Sequence, residues 1–148
     1  MKIVVPVMPK SLAELAELDT ASYAAADLIE WRADFMPIAD LSQAAQDIKA
    51  QFPNQEIIFT YRTEDKAAAI ISAADYAGLV QQFSPDFTYI DVEILKFPTL
   101  SLPDNAVVSY HDFTQIPQNL PDILSKMAAS GAKGVKFAGM PQKQSDVL

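Results

Sequence analysis

An α/β fold built on a parallel sheet is what this 148-residue sequence predicts. Three observations point there. Short runs rich in Val, Ile and aromatic residues alternate with longer stretches whose apolar residues recur at helical spacing, which is the rhythm of βα units. Polar or charged side chains gather at the C-terminal end of one strand after another. Half the residues are hydrophobic and a fifth are charged, the composition of an ordinary globular domain.

The elements are taken in chain order. Residues 3–8 are an apolar run closed by Pro9 and Lys10, and read as the first strand. Ser11 with Glu14 three residues on has the spacing of a capping box. A helix is expected from there through Leu12, Leu15 and Leu18, continuing past Asp19. Residues 27–32 read as the second strand, and Pro37 breaks the chain soon after it. A helix over 41–51 places Leu41, Ala44, Ala45 and Ile48 on one face. The third strand is expected at 56–62, the third helix at 72–83 and the fourth strand at 87–93. Pro98 and Pro103 leave room for only a small helix before the fifth strand at 106–111. The fourth substantial helix lies within 117–130, starting near Asn119 with Pro121 in its first turn, and Gly131 suits its C-terminal cap. The sixth strand is expected at 135–140. Each crossover should be right-handed. No linker or repeat marks a second domain, so residues 1–148 read as one domain.

Strands two to six end in Glu30 and Arg32, in Arg62, in Asp91 and Glu93, in His111 and Asp112, and in Lys136. An open doubly wound sheet gathers its site at a switch point. A closed βα barrel draws on the C-terminal ends of several strands, and five contributing strands favour the barrel. The fold class is therefore α/β of the (β/α)8 TIM-barrel lineage, but incomplete. About six parallel βα units are present where eight are needed, so the last two strands are missing. Residues 145–148 read as an N-cap and the first turn of a further helix, and the chain is expected to be cut short there.

The residue types suggest the chemistry. Residues 134–142 read as a short buried strand carrying one cation, Lys136, among Val135, Phe137 and Ala138. Burial disfavours an ammonium ion, and a partly neutral lysine attacks carbonyl carbon. The alternative is a lysine that snorkels to solvent. His111 is the only histidine, and its ordinary pKa suits proton transfer near neutrality; the alternative is a half-buried, hydrogen-bonded ring. Arg32 and Arg62 can clamp a carboxylate or hydroxyls with their forked donors, or pair with Glu30, Asp34 or Asp91 to hold the strand ends together. Glu30 and Arg32 share a face, whereas Trp31 points the other way and should pack between strand and helices. Asp91 and Glu93 also share a face and are expected to orient the cations.

Composition excludes several classes. With no cysteine there is neither a disulfide framework nor a thiolate metal site, and one histidine makes structural zinc untenable. A net charge of −8 argues against a nucleic-acid surface. Four glycines occur, none at phosphate-loop or dinucleotide spacing. No apolar run reaches membrane-spanning length, and a strand-like N-terminus does not read as a signal peptide. The cytoplasm is the default compartment.

Six stretches, in order, resemble the type I 3-dehydroquinate dehydratase family, the Schiff-base-forming dehydroquinases of the shikimate pathway. They are Val-Met-Pro-Lys at 7–10, Ile-Glu-Trp-Arg-Ala-Asp at 29–34, Phe-Thr-Tyr-Arg-Thr at 59–63, Tyr-Ile-Asp-Val-Glu at 89–93, Ser-Tyr-His-Asp-Phe at 109–113 and Val-Lys-Phe-Ala-Gly-Met-Pro-Gln at 135–142. The resemblance implies a (β/α)8 barrel that dehydrates 3-dehydroquinate to 3-dehydroshikimate without metal or cofactor. It implies that Lys136 forms an imine with the substrate ketone and that His111 is the general acid/base. It also implies that Glu30, Arg32 and Arg62 bind the substrate. The expected partner is the small-molecule substrate, with neither nucleic acid nor membrane. Two unpaired sheet edges suggest a homo-oligomer, a dimer, or a piece of a longer protein.

Two departures from the family pattern motivate an alternative, a catalytically impaired or non-catalytic binding module of the same family. Lys66, followed by Ala67 and Ala68, stands where the family has a glutamate that orients the histidine, followed by two glycines. The family's last two strands, with a carboxylate-binding arginine and the contacts of a closing loop, are missing.

Overall fold

The structure, a computed structural model, describes residues 2–63 and 71–146. It divides into two compact units, Met1–Ile90 and Asp91–Leu148.

The first unit holds β1 (Val4–Val7), α1 (Leu12–Ala16), β2 (Leu28–Arg32), α2 (Leu41–Gln51), β3 (Glu56–Thr60), α3 (Ala73–Phe83) and the start of β4 (Tyr89–Val92). Its strands pair in parallel and in chain order, with Val5 beside Ile29, Ile29 beside Ile57 and Phe59 beside Ile90. The second unit holds the end of β4, then β5 (Ala106–Asp112), α4 (Leu120–Ala128) and β6 (Gly134–Gly139). β6 runs parallel to β5, from Val107 beside Gly134 to Asp112 beside Gly139. Six parallel strands interleaved with helices are the elements of an incomplete (β/α)8 barrel. Among the described residues, no helix is long and apolar enough to cross a membrane.

Local chemistry explains where the elements start and stop. The Ser11 hydroxyl accepts the Glu14 N–H at 3.2 Å, and the Glu14 carboxylate accepts the Lys10 N–H at 2.8 Å. This is close to the reciprocal cap expected, with the returning bond landing one residue early. The helix does not continue past Asp19, however; α1 stops at Ala16. The Asp19 carboxylate accepts the Ala21 N–H at 3.2 Å and starts a separate 3-10 turn, Thr20–Tyr23. An aspartate offering the backbone a local acceptor competes with helix propagation. The α2 helix buries Leu41, Ala44, Ala45 and Ile48, as its periodicity predicts. Ser72 caps α3 by accepting the Asp75 N–H at 3.1 Å. After β4 the chain turns on Glu93, whose carbonyl accepts the N–H groups of Lys96 and Phe97. No helix lies between β4 and β5 among the described residues. α4 starts after Asn119 with a proline in its first turn, and Gly131 comes after it at φ 80°, a conformation costly to any residue with a Cβ.

The core of the first unit is aromatic. Trp31 is fully buried on the face of β2 away from Glu30 and Arg32. It meets Phe59 edge-on at 5.5 Å and Phe87 at 5.7 Å, while Phe59 stacks on Phe83 at 4.7 Å. Tyr61, just beyond β3, is also buried. That burial, with the nearby Asp34 carboxylate, raises its phenol above the ordinary 10.0.

The sixth strand departs from expectation. β6 is not buried: Val135 is 41% exposed, Ala138 is exposed, and Phe137 is only half-buried. Among the described residues β6 pairs on one side alone, with β5, while α4 packs against it. An edge strand covered in this way keeps much of its apolar surface in solvent.

Two outcomes test this packing. Trp31→Ala should lower stability by about 3–5 kcal/mol, read from urea unfolding; a loss below about 1 kcal/mol would show that the ring cluster is not the organising core. Tyr61 holds its proton more tightly folded than unfolded. Stability should therefore be unaffected below the unfolded phenol value and fall as pH rises through it toward the folded one. Titration by tyrosinate absorbance should show a late-ionising component, and Tyr61→Phe should diminish it.

Candidate active site

In the first unit, three sequence-predicted residues stand at the ends of β2 and β3. Glu30 accepts the hydroxyl proton of buried Thr60 at 2.9 Å, a bond between side chains on paired strands. Arg32 directs its fork at Asp34, with Nε to Oδ1 and Nη2 to Oδ2 both at 2.8 Å, and its guanidinium lies 5.0 Å over the Phe35 ring. The fork–carboxylate geometry is the strong, bidentate kind. The 3-10 turn Ala33–Phe35 brings Asp34 back under Arg32. Asp34 is buried, and its Oδ1 also accepts the backbone N–H of Arg62 at 3.1 Å. Arg62 itself is buried two residues beyond β3. Asp34 thus ties the ends of two strands together. The sequence offers it only as one possible arginine partner; the two-residue spacing from Arg32 is the signal that singles it out.

In the second unit, Asp91, Glu93 and Ser109 are buried. The Ser109 hydroxyl donates to Asp91 Oδ1 at 2.6 Å, and Asp91 Oδ2 lies 3.7 Å from Lys136 Nζ. Ser109 pairs with Lys136 and His111 with Ala138 in the β5–β6 register. Alternation along parallel strands therefore puts Ser109, His111 and Lys136 on one face, with His111 about 7 Å further along its strand than Ser109. The His111 ring stacks on Phe113 with centroids 5.9 Å apart. The apolar setting expected around Lys136 is not found. Its side chain is 35% exposed and faces a carboxylate, because β6 is an edge strand and β4 brings Asp91 to the same face. The part played by Ser109 has no signal in its own residue type. It emerges only from the register.

The turn after β5 is fixed by Asp112. Its carboxylate accepts the Thr114 hydroxyl at 2.7 Å, the Thr114 N–H at 2.9 Å and the Gln115 N–H at 3.1 Å, and these bonds, the hydroxyl's first, hold its pKa below the ordinary carboxylate value. Asp112 belongs to the opposite face from His111, so it shapes the strand end and does not join the cluster. Gly139 closes β6 among the ends of neighbouring side chains. A Cβ there would lie 2.5 Å from Ile116 Cδ1 and 2.6 Å from Phe137 Cζ. Gln142 closes the region by donating its side-chain amide to the Thr114 carbonyl at 2.8 Å. Lys66, Ala67 and Ala68, expected to replace a histidine-orienting glutamate and two glycines, lie outside the described residues.

Chemically, the second unit offers an amine beside a fixed carboxylate and an imidazole on the same face. The first offers arginines and a glutamate at strand ends. Comparison with known proteins identifies the family. The family model of type I 3-dehydroquinase matches residues 3–148. A 3-dehydroquinate dehydratase of Streptococcus agalactiae is 41% identical over 163 aligned residues, which cover 100% of this chain and 69% of that protein. Proteins of the same name from Streptococcus equi subsp. zooepidemicus and Streptococcus pneumoniae are 39% and 38% identical with the same coverage. The chain belongs to the type I 3-dehydroquinase family.

Proposed function

We propose that this chain dehydrates 3-dehydroquinate to 3-dehydroshikimate through an imine on Lys136, with His111 as general acid/base and Glu30, Arg32 and Arg62 binding the substrate. The observation that supports it most is the pairing of β5 with β6, which sets Lys136 and His111 on one face of adjacent strands. Family membership and the names of the relatives point to the same reaction.

The chemistry begins at the amine. The neutral Nζ lone pair attacks the ketone carbon. The carbonyl oxygen leaves as water, one proton being taken up overall, and nitrogen remains as a protonated imine. This cation makes the adjacent carbon acidic. His111 takes a proton from that carbon, and the C–H electron pair moves to nitrogen as an enamine. The enamine pair returns to expel the β-hydroxyl, which departs as water with the proton carried by His111. Hydrolysis of the imine releases the unsaturated ketone and restores the amine. Arg62 supplies a forked donor suited to the substrate carboxylate and hydroxyls, and Arg32, its Nε and Nη2 held by Asp34, adds positive charge at the neighbouring strand end.

We further propose that the protein works in the cytoplasm as a homodimer. The exposed apolar residues on and beside β6, Val135, Phe113 and Met140, support association.

Borohydride reduction with 3-dehydroquinate present should leave a stable adduct on Lys136, located by peptide mass, and Lys136→Ala should abolish both adduct and turnover. His111→Ala should still trap an adduct while turnover falls roughly 10²- to 10⁴-fold. A folded sample that forms no adduct would refute the imine. In sedimentation, the dimer should appear as a species of twice the chain mass, and a well-behaved monomer at all concentrations would count against it.

A further inference from the structure

We infer that Asp91, locked by Ser109, is the counter-ion of the cationic imine nitrogen formed on Lys136. The inference rests on the imine reading and goes beyond it by naming what holds the electron sink in its protonated form.

The geometry carries the assignment. The imine nitrogen is the same atom as Nζ, so the carboxylate 3.7 Å away in the resting structure remains the neighbour of that nitrogen after the imine forms. Asp91 is not a mobile surface acid: its side chain is 2% exposed. The Ser109 hydroxyl occupies Oδ1 at 2.6 Å, and Oδ2 is the oxygen aimed at Nζ. A charge held this deep is screened far less than one in water. Three strands contribute, with Asp91 from β4, Ser109 from β5 and Lys136 from β6, and the register that places Ser109 beside Lys136 brings the donor and the amine to one carboxylate.

An anion beside an amine favours the ammonium form, which works against nucleophilic attack. Activating the nucleophile is therefore not what Asp91 is for. The same anion favours the protonated imine over the neutral one, and only the protonated imine withdraws electrons strongly enough for the proton and hydroxyl steps. Asp91 thus acts after the covalent bond is made.

Other titratable groups lie on the elements packed against β6. Glu93 follows β4 on the Asp91 face, and His111 lies on the β5 face. α4, packed on β6, carries Asp122 and Lys126, both exposed. Lys136 is the one titratable residue within β6. Of these groups, Asp91 stands at ion-pair distance from Nζ.

The test is Asp91→Asn in the full chain, with folding checked by circular dichroism. Borohydride should still trap an adduct on Lys136. Turnover should fall about 10-fold or more, and the basic limb of the kcat profile should move to lower pH by about 1–3 units, the effect of removing one opposite charge at this range. Ser109→Ala keeps the charge but frees its orientation, so it should move the limb the same way by less. A folded Asp91→Asn chain with normal kcat, or with reduced kcat and an unmoved basic limb, overturns the assignment. If Asp91→Asn does not fold, an unmoved limb in Ser109→Ala overturns it instead. Failure of the unmodified chain to form an adduct refutes the imine itself, and the counter-ion with it. An adduct in the unmodified chain with no effect of either variant refutes the counter-ion alone.

Discussion

The register of β6 on β5 is the constraint on which the candidate chemistry depends. Side chains alternate between the two faces of a strand, so a slip of one residue would send Lys136 to the face of Tyr110 and Phe137. Held as it is, the pairing puts Ser109, His111 and Lys136 together on one face. The opposite face takes Val108, which is fully buried, and the stacked pair Tyr110 and Phe137. The register is thus held by packing on one face and gathers the candidate residues on the other.

Each unit places a buried carboxylate at its strand ends. Asp34 is satisfied by the Arg32 fork and the Arg62 N–H. Asp91 is satisfied on one oxygen by Ser109 and faces Lys136 with the other. A buried carboxylate costs several kcal/mol to desolvate unless it is fully partnered. That cost makes the partners interdependent. Removing either acid would leave a cation or a backbone N–H without the group it faces, so these acids hold the strand ends in shape whatever else they do. The two differ in their partner's rigidity. Arg32 meets a flat two-point match, whereas Lys136 presents a single nitrogen at 3.7 Å on a side chain one-third exposed. The first arrangement is the more rigid of the two.

The edge strand shows how context overrides local composition. Val135, Phe137 and Ala138 would be buried in a strand flanked on both sides. In β6 they are exposed or half-buried because pairing exists on one side among the described residues. The same circumstance opens Lys136 to solvent and lets a carboxylate, not an apolar wall, become its neighbour.

Much was legible in the residues alone. Alternating βα periods, the cap at Ser11, the apolar face of α2, Pro121 in the first turn of α4 and the left-handed Gly131 all come from local rules, because each depends on residues a few positions apart. The two faces of β2, with Trp31 inward and Glu30 and Arg32 opposite, come from alternation for the same reason. Tertiary structure decided what local rules cannot reach. It brought the Arg62 N–H to Asp34 and recruited Ser109 to Asp91 from a different strand. It also set an acid beside Lys136. Long-range pairing brings together residues far apart in the chain, and no period within a single strand records which neighbour that pairing will supply.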